Sequence, residues 1–558
     1  MGQKPKRTTA GKRQAVKAKA TDDTNSASPV SAQSEAKKKA TSKLKPTTSK
    51  TSAQPKTEAQ SSVRARKQPK SKPSLALAPG LDNFVSGNSA LRQAVAQLDQ
   101  YVSFTIAPKT VSEESIQAQR GRLSNDNLDS FRPQKDAVHR AIEELQRLGF
   151  KNIRQGRFGI SAGGSARLVS EVLKTRLIVQ ARPRRSTVRS TQQFAVSYLP
   201  PRPDDLFVAP EASLTIPASF SDQMDDVIFT PPPTFFTAPS ATPPAINYFN
   251  VDAAAIRRLL NVPSGLNGAG VRVAIVDTGF FRHPYYMANN FDFEPTPTSS
   301  SPDPTVDTVG HGTAIAYNVF AVAPAAKVLG FKQTDPPQDA LEDAADAGVD
   351  IISCSWGWDY EQSFPILEAT IRDIVREGKI VLFASGNGQQ AWPGSMPNVL
   401  SVGGVYADQT GALQASNYAS GFTSNLYPGR RVPDVSGLCG LKPMAVYIMM
   451  PCPAGSDLDK TFAGIFPGGD GTKPDDGWVG ASGTSSATPQ TAGAIALMVQ
   501  KAKSKQIILN TDRVKQILQS SATAVEKGSN AQGFPAVGNP NAAVGYGLIN
   551  VAAALNGV

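Results

Sequence analysis

Three short motifs in this chain carry an acid, a base and a hydroxyl, the side chains that nucleophilic catalysis combines. Asp277 follows the apolar run 271–276, which predicts a buried β-strand with the acid at its carboxyl end. His311 opens an apolar helical stretch in the motif Gly-His-Gly-Thr. Ser485 lies in Gly-Thr-Ser-Ser-Ala-Thr-Pro at the start of a second helix rich in small residues, where its backbone N–H can donate to an oxyanion.

A fourth motif supplies a neutral hydrogen-bond donor. The run 380–384 predicts another buried strand, which leads directly into Ser-Gly-Asn-Gly with the asparagine at Asn387. An asparagine amide is a fixed donor suited to an oxyanion hole. The chain order Asp277, His311, Ser485 is the order of the subtilisin type and differs from the chymotrypsin and α/β-hydrolase orders.

With these motifs the chain resembles the subtilisin-like serine peptidases (subtilases) over residues 250–558. The resemblance rests on Asp277-Thr278-Gly279, His311-Gly312-Thr313, Ser385-Gly386-Asn387 and the segment 483–489. Some segments, such as Ser353-Cys354-Ser355-Trp356-Gly357, are more similar to the related sedolisins. Sedolisins pair their serine with Glu and Asp and place Asp at the oxyanion position. This chain has His311 and Asn387 there, so the resemblance implies subtilisin-like chemistry.

The resemblance implies a serine endopeptidase that works through an acyl-enzyme. Ser485 is expected to attack the peptide carbonyl, His311 to carry the proton and Asp277 to orient the imidazole. Asn387 and the Ser485 backbone N–H are expected to hold the oxyanion. Because the base must be neutral before attack, activity is expected to rise through about pH 6–8.

The resemblance also implies a substrate-binding strand. Its expected residues are Ser353, Ser355, Trp356 and Gly357, which would pair with an extended peptide as an added strand. The alternative is that this segment is only a core strand, which the apolar residues before it also fit. The other two histidines are expected to have no catalytic role: His139 on a solvated helix surface and His283 in a polar turn before a proline.

The predicted fold class is α/β, a three-layer sandwich with a mostly parallel sheet (subtilisin-like), preceded by a small α+β ferredoxin-like pro-domain and a disordered basic tail. The predicted bounds are 1–80 for the tail, 90–198 for the α+β unit, 199–245 for a proline-rich linker and 250–558 for the peptidase domain. Within the second unit, residues 137–177 resemble the activation domain of sedolisins. A generic α+β domain that binds a partner is the alternative for this unit.

The tail carries the positive charge of the chain. Residues 1–75 hold 19 Lys/Arg and four Asp/Glu, a net charge of +15 against +12 for the whole chain, so the remainder carries −3. Almost free of large apolar side chains, the tail is expected to be a disordered leader. The alternative is that the tail binds a polyanion such as nucleic acid.

The stretch 199–245 contains 11 prolines and is expected to form an extended, exposed linker. Exposed backbone is cut easily by proteases, so we expect the chain to be made as a zymogen that cleaves itself in this linker. Two other functions stay open at this stage. One is a catalytically silent fold that binds peptides or proteins, and the other is a nucleic-acid-associated factor that depends on the tail.

The sequence gives few indications of a cofactor or of the cellular location. Metal sites of the Cys-x-x-Cys type are missing from the sequence, and the cofactor expectation is none, with Ca²⁺ as a candidate. That candidate is an acidic loop with Asp457, Asp459, Asp470, Asp475 and Asp476; a solvated loop is the alternative. The sequence shows neither a signal-peptide core nor an apolar stretch of membrane-spanning length, which predicts a cytoplasmic protein with reduced thiols, or one exported without a cleaved signal.

Overall fold

The computed structural model describes residues 75–182, 184–190, 193–212, 214, 216–235, 251–442, 448–464 and 469–558. Most of the predicted tail therefore lies outside the described residues, and its disorder and polyanion contact remain predictions. The structure differs from the prediction at the end of the tail, because residues 76–77 form a strand that pairs with a strand of the following unit.

The elements before residue 250 are numbered in chain order. The strands are β1 (Ala76–Leu77), β2 (Val102–Pro108), β3 (Lys151–Gln155), β4 (Ile160–Gly164), β5 (Leu177–Ala181), β6 (Arg184–Ser190), β7 (Gln193–Leu199), β8 (Leu206–Pro210), β9 (Met224–Ile228) and β10 (Thr234–Phe235). The α-helices are α1 (Asp82–Gly87), α2 (Ser89–Gln100), α3 (Lys135–Leu148) and α4 (Ala166–Leu173).

The elements after residue 250 continue the numbering. The strands are β11 (Arg272–Asp277), β12 (Phe293–Pro295), β13 (Lys327–Lys332), β14 (Ile351–Cys354), β15 (Trp356–Gly357), β16 (Ile380–Ala384), β17 (Leu400–Ala407), β18 (Leu413–Ala415), β19 (Phe422–Thr423), β20 (Arg431–Val432), β21 (Val435–Leu438), β22 (Ile448–Pro451) and β23 (Trp478–Ala481). The helices are α5 (Ala253–Leu259), α6 (Pro284–Ala288), α7 (His311–Val322), α8 (Gln338–Asp346), α9 (Pro365–Arg376), α10 (Asp457–Phe462), α11 (Thr484–Ser504), α12 (Thr511–Ser521) and α13 (Val551–Asn556).

The sheet of the C-terminal region is mostly parallel, as predicted. Its strand order is β12-β13-β11-β14-β16-β17-β18, with β21 also paired to β17, and only the β17–β18 pair is antiparallel. Along β11, Val273 and Ile275 pack with α7 and α11, whereas Ala274 and Val276 pack with α8 and α9. Apolar residues on both faces are typical of a parallel strand covered by helices. The sheet and the helices on its two faces form three layers.

Close packing of the two helices that carry His311 and Ser485 depends on small residues. A Cβ on Gly493 of α11 would lie 2.8 Å from the Cβ of Val322 on α7, so only glycine allows this approach. A buried hydrogen bond of 3.0 Å from Gln490 Nε2 to Asn318 Oδ1 joins the same helices. The two helices are therefore held in one fixed arrangement by apolar contact and by a satisfied polar pair.

The N-terminal region contains a four-stranded antiparallel sheet in the order β3-β4-β2-β9. One face, including Phe104 and Ile160, packs against apolar residues of α3 and α4. The opposite face carries Thr105 and Ser161, whose hydroxyls contact helix α8 of the C-terminal region.

The segment 199–235 differs from the extended linker that its prolines predict. It contains β8, which pairs with β5, and β9, which pairs with β2, so both strands extend sheets of the N-terminal region. A third strand, β10, pairs with β15 of the C-terminal region. The rest of the predicted linker, residues 236–245, lies outside the described residues.

Cys354, Cys439 and Cys452 are buried, and no disulfide joins any two of them in the structure. Burial raises the pKa of Cys439 to about 11 and that of Cys452 to about 12, which keeps both protonated near neutral pH. Among the helices that the structure describes, none is long and apolar enough to cross a bilayer.

Candidate active site

Asp277 and His311 form a buried hydrogen-bonded pair. Asp277 is the last residue of β11 and His311 the first residue of α7, and Asp277 Oδ1 lies 2.7 Å from His311 Nδ1. The side chains are 0% and 3% exposed. The same carboxylate oxygen accepts the backbone N–H of Thr278 at 2.8 Å. These contacts commit Nδ1 to the carboxylate, so that Nε2 is the nitrogen suited to exchange a proton with a hydroxyl.

Two glycines allow close approaches around the acid and the base. A Cβ on Gly312 would lie 2.3 Å from the carbonyl oxygen of Gly279 and 3.0 Å from the Asp277 Cβ. Gly279 has φ of +149°, and a Cβ there would lie 2.5 Å from the carbonyl oxygen of Val306. Glycine at position 312 is thus a steric requirement for the approach of His311 to Asp277, and glycine at position 279 is one for the approach of the segment that contains Val306.

Ser485 is the second residue of α11 and is held against the end of β14. Its carbonyl accepts the Ser355 hydroxyl at 3.1 Å, and its own Oγ lies 3.4 Å from the Ser355 carbonyl oxygen. The serine therefore lies in the first turn of a 21-residue helix, where the helix dipole favours negative charge.

Asn387 follows β16 and is oriented by the residue before Ser485. The Asn387 Oδ1 accepts both the backbone N–H and the hydroxyl of Thr484, each at 3.0 Å. Because the amide oxygen is fixed in this way, Nδ2 is the half of the amide that can face a developing oxyanion. The backbone N–H of Asn387 donates to Gln389 Oε1 at 2.6 Å, which fixes the loop that carries Asn387.

The predicted substrate strand contributes two of its four residues to pairing. Strand β10 lies antiparallel to β15, with Thr234 opposite Gly357 and Phe235 opposite Trp356. Ser355 contacts Ser485, as described above. Ser353 instead lies inside the sheet, opposite Ile275 and Leu382, so it has the core role that was the alternative.

Trp356 presents its backbone rather than its indole to the paired strand. The indole is fully buried, and its Nε1 donates to the carbonyl of Val276 at 2.9 Å. Beside it, the ring of Phe235 lies 6.0 Å from the imidazole of His311, measured between ring centroids. A segment of the chain itself therefore reaches the acid–base pair along the strand that was predicted to bind substrate.

The segment that leads into β10 is held from both sides. The Trp358 indole donates to the carbonyl of Pro231 at 3.1 Å. From the N-terminal region, Arg182 donates to the carbonyls of Pro232 and Pro233 and pairs at 2.7 Å with the buried carboxylate of Asp205. Such carbonyl contacts need no particular side chain, which is how a strand-addition site holds different peptides.

The remaining two histidines have the non-catalytic positions that were expected. His139 lies on the exposed face of α3, 3.1 Å from Glu143. The His283 Nδ1 caps helix α6 by accepting the backbone N–H of Tyr285 at 3.2 Å, and burial lowers the pKa of His283.

The acidic loop uses its carboxylates as hydrogen-bond acceptors. Asp470 accepts the backbone N–H groups of Thr472 and Gly480 at 2.9 and 2.7 Å, and Asp459 accepts the N–H of Gly455 at 2.6 Å. Within the part of the chain that the structure describes, no cluster of three or more acidic, histidine or cysteine side chains is arranged to hold a metal. Calcium binding stays a prediction.

Sequence reasoning missed one buried carboxylate near the pair. Asp307 lies four residues before His311, is 5% exposed and accepts hydrogen bonds from Thr278 and Thr313. Its position in a polar loop gives no periodic signal, and only its fixed distance from the Gly-His-Gly-Thr motif could have drawn attention to it.

The C-terminal region of the chain is similar to known peptidases. Residues 268–547 match the peptidase S8 family, described as the subtilase family. The chain is 28% identical over 320 residues to the serine protease AprX of Bacillus subtilis, a match that covers 50% of this chain and 67% of that protein. It is 27% identical over 316 residues to an alkaline protease of Shouchella clausii (50% and 70% covered) and 27% identical over 282 residues to subtilisin Savinase of Lederbergia lenta (47% and 86%). The chain belongs to the subtilase family and is a serine-type endopeptidase.

Proposed function

We propose that the chain hydrolyses peptide bonds through an Asp277–His311–Ser485 triad and a covalent acyl-enzyme. The observation that carries this proposal is the buried 2.7 Å contact between Asp277 Oδ1 and His311 Nδ1. Strand β10 lies beside this pair and runs along Trp356 toward Ser355 and Ser485. A hydroxyl, a base and an orienting carboxylate in these roles are the requirements of acyl transfer.

The steps follow from the atoms present. His311 Nε2 takes the proton of the Ser485 hydroxyl as its Oγ attacks the carbonyl carbon, and later gives that proton to the leaving amine. Asp277 remains a carboxylate and stabilises the imidazolium. Water then attacks the acyl carbon while His311 Nε2 takes the proton of the water. His311 returns that proton to Ser485 Oγ as the new carboxyl product leaves. Asn387 Nδ2 and the Ser485 backbone N–H stabilise both tetrahedral oxyanions.

The N-terminal region acts in this proposal as a pro-domain that inhibits the cleft. Its strand order β3-β4-β2-β9, with helices α3 and α4 on one face, is that of a ferredoxin-like sandwich in which β9 supplies the fourth strand. The order supports the predicted pro-domain, although the unit extends beyond the predicted end at residue 198. Strand β10, only six residues after β9, lies along β15 where a substrate strand would lie.

Charge holds the proposed pro-domain on helices α8 and α9. Arg132 lies 2.6 Å from Asp373, Arg154 lies 2.7 Å from Asp343, and Arg157 contacts several carboxylates. The carboxylates around Arg157 belong to Asp346, Asp373 and Glu377, at 3.0, 3.2 and 2.5 Å. Positive side chains on one surface and negative ones on the other favour this orientation over others.

Self-cleavage is expected on the C-terminal side of Phe235, between residues 235 and 250. Strand β10 runs antiparallel to β15, so its carboxyl end points toward Ser355, whose carbonyl oxygen is 3.4 Å from the Ser485 hydroxyl. Intact-mass analysis of the purified full-length protein, followed over hours at neutral pH, should show two fragments that meet within this range. The Ser485→Ala protein should stay whole.

Two outcomes would count against self-processing. Cleavage of the Ser485→Ala protein at the same bond would mean that another protease makes the cut. A wild-type chain that stays intact while it hydrolyses an added peptide would show that the strand in the cleft is not a substrate. Dilution over a tenfold range separates cleavage within one chain, whose rate is independent of concentration, from cleavage between chains.

The hold of the proposed pro-domain is expected to weaken as pH rises. Glu342 is buried under Arg157, whose backbone N–H it accepts at 3.0 Å, and burial raises the pKa of Glu342 to about 7. Burial likewise raises the pKa of Asp339, bonded to Ser161, to about 6. When the interface opens, both carboxyls return to water and to ordinary pKa values of about 4, so the closed state takes up protons.

The affinity of the N-terminal fragment should therefore be highest in acid and should fall by on the order of 10²–10³-fold as pH rises from about 5 to about 8. Size-exclusion chromatography of the cleaved protein at several pH values, at constant salt, measures the fraction of N-terminal fragment still bound. Glu342→Gln should flatten this dependence. Glu377→Gln, which removes an exposed partner of Arg157, is the control that should leave the slope in place. An affinity that rises with pH would contradict the account.

A further inference from the structure

A buried carboxylate that the proposed mechanism does not use connects the two segments that carry the acid and the base. Asp307 has both oxygens occupied: Oδ1 accepts the Thr278 hydroxyl at 2.7 Å and the Gly310 backbone N–H at 2.9 Å. Oδ2 accepts the backbone N–H and the hydroxyl of Thr313, at 3.0 and 2.6 Å. All four donors are thus satisfied by one side chain.

The four donors belong to residues next to the proposed catalytic ones. Thr278 directly follows Asp277, Gly310 directly precedes His311, and Thr313 lies two residues after His311. The Thr278 hydroxyl, besides donating to Asp307, accepts the backbone N–H of Gly312 at 2.9 Å. Hydrogen bonds therefore connect the end of β11 to the first turn of α7 in two ways, directly from the Gly312 N–H to the Thr278 hydroxyl and through Asp307.

We propose that Asp307 is a positioning residue that fixes the Asp277–His311 hydrogen bond by tying the end of β11 to the first turn of α7. The inference rests on the proposed function, because it assigns a role in the geometry of that triad. Asp307 itself contacts neither the imidazole nor the expected oxyanion position through any of its four hydrogen bonds.

A carboxylate suits this place better than any isosteric group. An ionised carboxylate only accepts hydrogen bonds and offers about four lone-pair positions, which matches four donors. An asparagine would offer one oxygen and would turn an N–H₂ group toward two of the donors. Burial raises the pKa of Asp307, and the hydrogen bonds from Thr313, Thr278 and Gly310 oppose that shift and favour the charged form.

The same loop contains a carboxylate that serves only the loop. Asp303 is exposed and accepts the backbone N–H and hydroxyl of Thr305, at 3.1 and 2.5 Å, two residues later. Such a turn contact stabilises local backbone and reaches neither β11 nor α7. Asp303 is therefore the matched control for a change of Asp307.

The test compares Asp307→Asn and Asp303→Asn in kcat and KM for a short peptide substrate, as well as in the pH profile of kcat/KM. We expect Asp307→Asn to lower kcat about 10²-fold, because small misplacements of catalytic groups have effects of this size, with KM changed less than about twofold. The acid limb of the profile should move to lower pH, since a poorly placed Asp277 stabilises the imidazolium less. Asp303→Asn should match the wild type in all three quantities.

A second pair of variants covers the case in which Asp307→Asn does not fold. Thr278→Val removes the bridging hydroxyl without changing the shape of the side chain and should lower kcat about tenfold. Thr278→Ser restores the hydroxyl and should recover most of that loss. Equal kcat values for the valine and serine variants would overturn the positioning role.

The inference and the proposed function fail in different ways. If the wild type shows no hydrolysis that depends on Ser485, the proposed function fails. If the wild type is active and a folded Asp307→Asn protein keeps both its kcat within twofold and its acid limb, only the positioning role fails. A lower melting temperature with an unchanged pH profile would likewise assign Asp307 to stability alone.

Discussion

Replacing Ser485 by alanine is expected to lower kcat/KM for a peptide substrate by about 10⁴–10⁶-fold while the fold remains intact. The substitution removes the nucleophile, whose hydroxyl also makes a long 3.4 Å contact to the Ser355 carbonyl, and leaves the backbone unchanged. The helix start, the Asn387 amide and the Asp277–His311 pair all stay in place. Initial rates on a fluorogenic peptide, with melting temperatures measured alongside, give the size of the loss.

Ser486→Ala is the matched control for this change. Ser486 lies in the same helical turn and is equally buried, and its hydroxyl contacts Met450 Sδ at 3.8 Å rather than any residue of the proposed mechanism. We expect its kcat/KM to stay within about tenfold of the wild type. Similar losses in the two alanine variants would mean that the helix start, and not the Ser485 hydroxyl, is what activity depends on.

The second large effect is expected for Asp277→Asn, which should lower kcat by about 10⁴-fold. The Asp277 Oδ1 now accepts from two N–H groups, those of Thr278 and His311 Nδ1. An asparagine that turns its N–H₂ toward the imidazole forces the ring proton onto Nε2, and the ring can then no longer accept the proton of Ser485. Because the shape of the side chain is unchanged, the loss should appear in kcat rather than in KM.

Asp350→Asn provides the comparison for Asp277→Asn. Asp350 accepts the backbone N–H of Arg272 at 2.9 Å near the start of β11, at the opposite end of the strand from Asp277. Its replacement should reduce stability and leave kcat within about threefold of the wild type. A kcat for Asp277→Asn within tenfold of the wild type would contradict the orienting role of Asp277.

The parallel sheet and the four proposed catalytic residues could be predicted from the sequence because each signal is local. The strand β11, for example, is a short apolar run that ends in Asp277, and covering helices explain why it lacks alternation. Asn387 is found in the same way at the end of β16. Motifs at the carboxyl ends of buried parallel strands must lie at the same edge of the sheet. The strand-end positions of Asp277 and Asn387 therefore predict that these side chains lie near each other.

The structure of residues 199–235 could not be predicted because its strands depend on distant partners. Strand β9 pairs with β2, whose residues lie more than a hundred positions earlier, and its sequence Met-Asp-Asp-Val-Ile has no clean alternation. Strand β10 has two residues and follows three prolines. Asp307 was missed for a similar reason, because four hydrogen bonds to one carboxylate become visible only when β11 and α7 are placed side by side.

Labelling with a serine-reactive phosphonate, followed by peptide mapping, tests the nucleophile directly. In a preparation that hydrolyses a peptide substrate, the account predicts one adduct per chain, located on Ser485, with activity lost in proportion to labelling. The Ser485→Ala protein should take up none. An adduct on a different serine, or full activity in a chain that carries the adduct on Ser485, would contradict the assignment of Ser485 as the nucleophile.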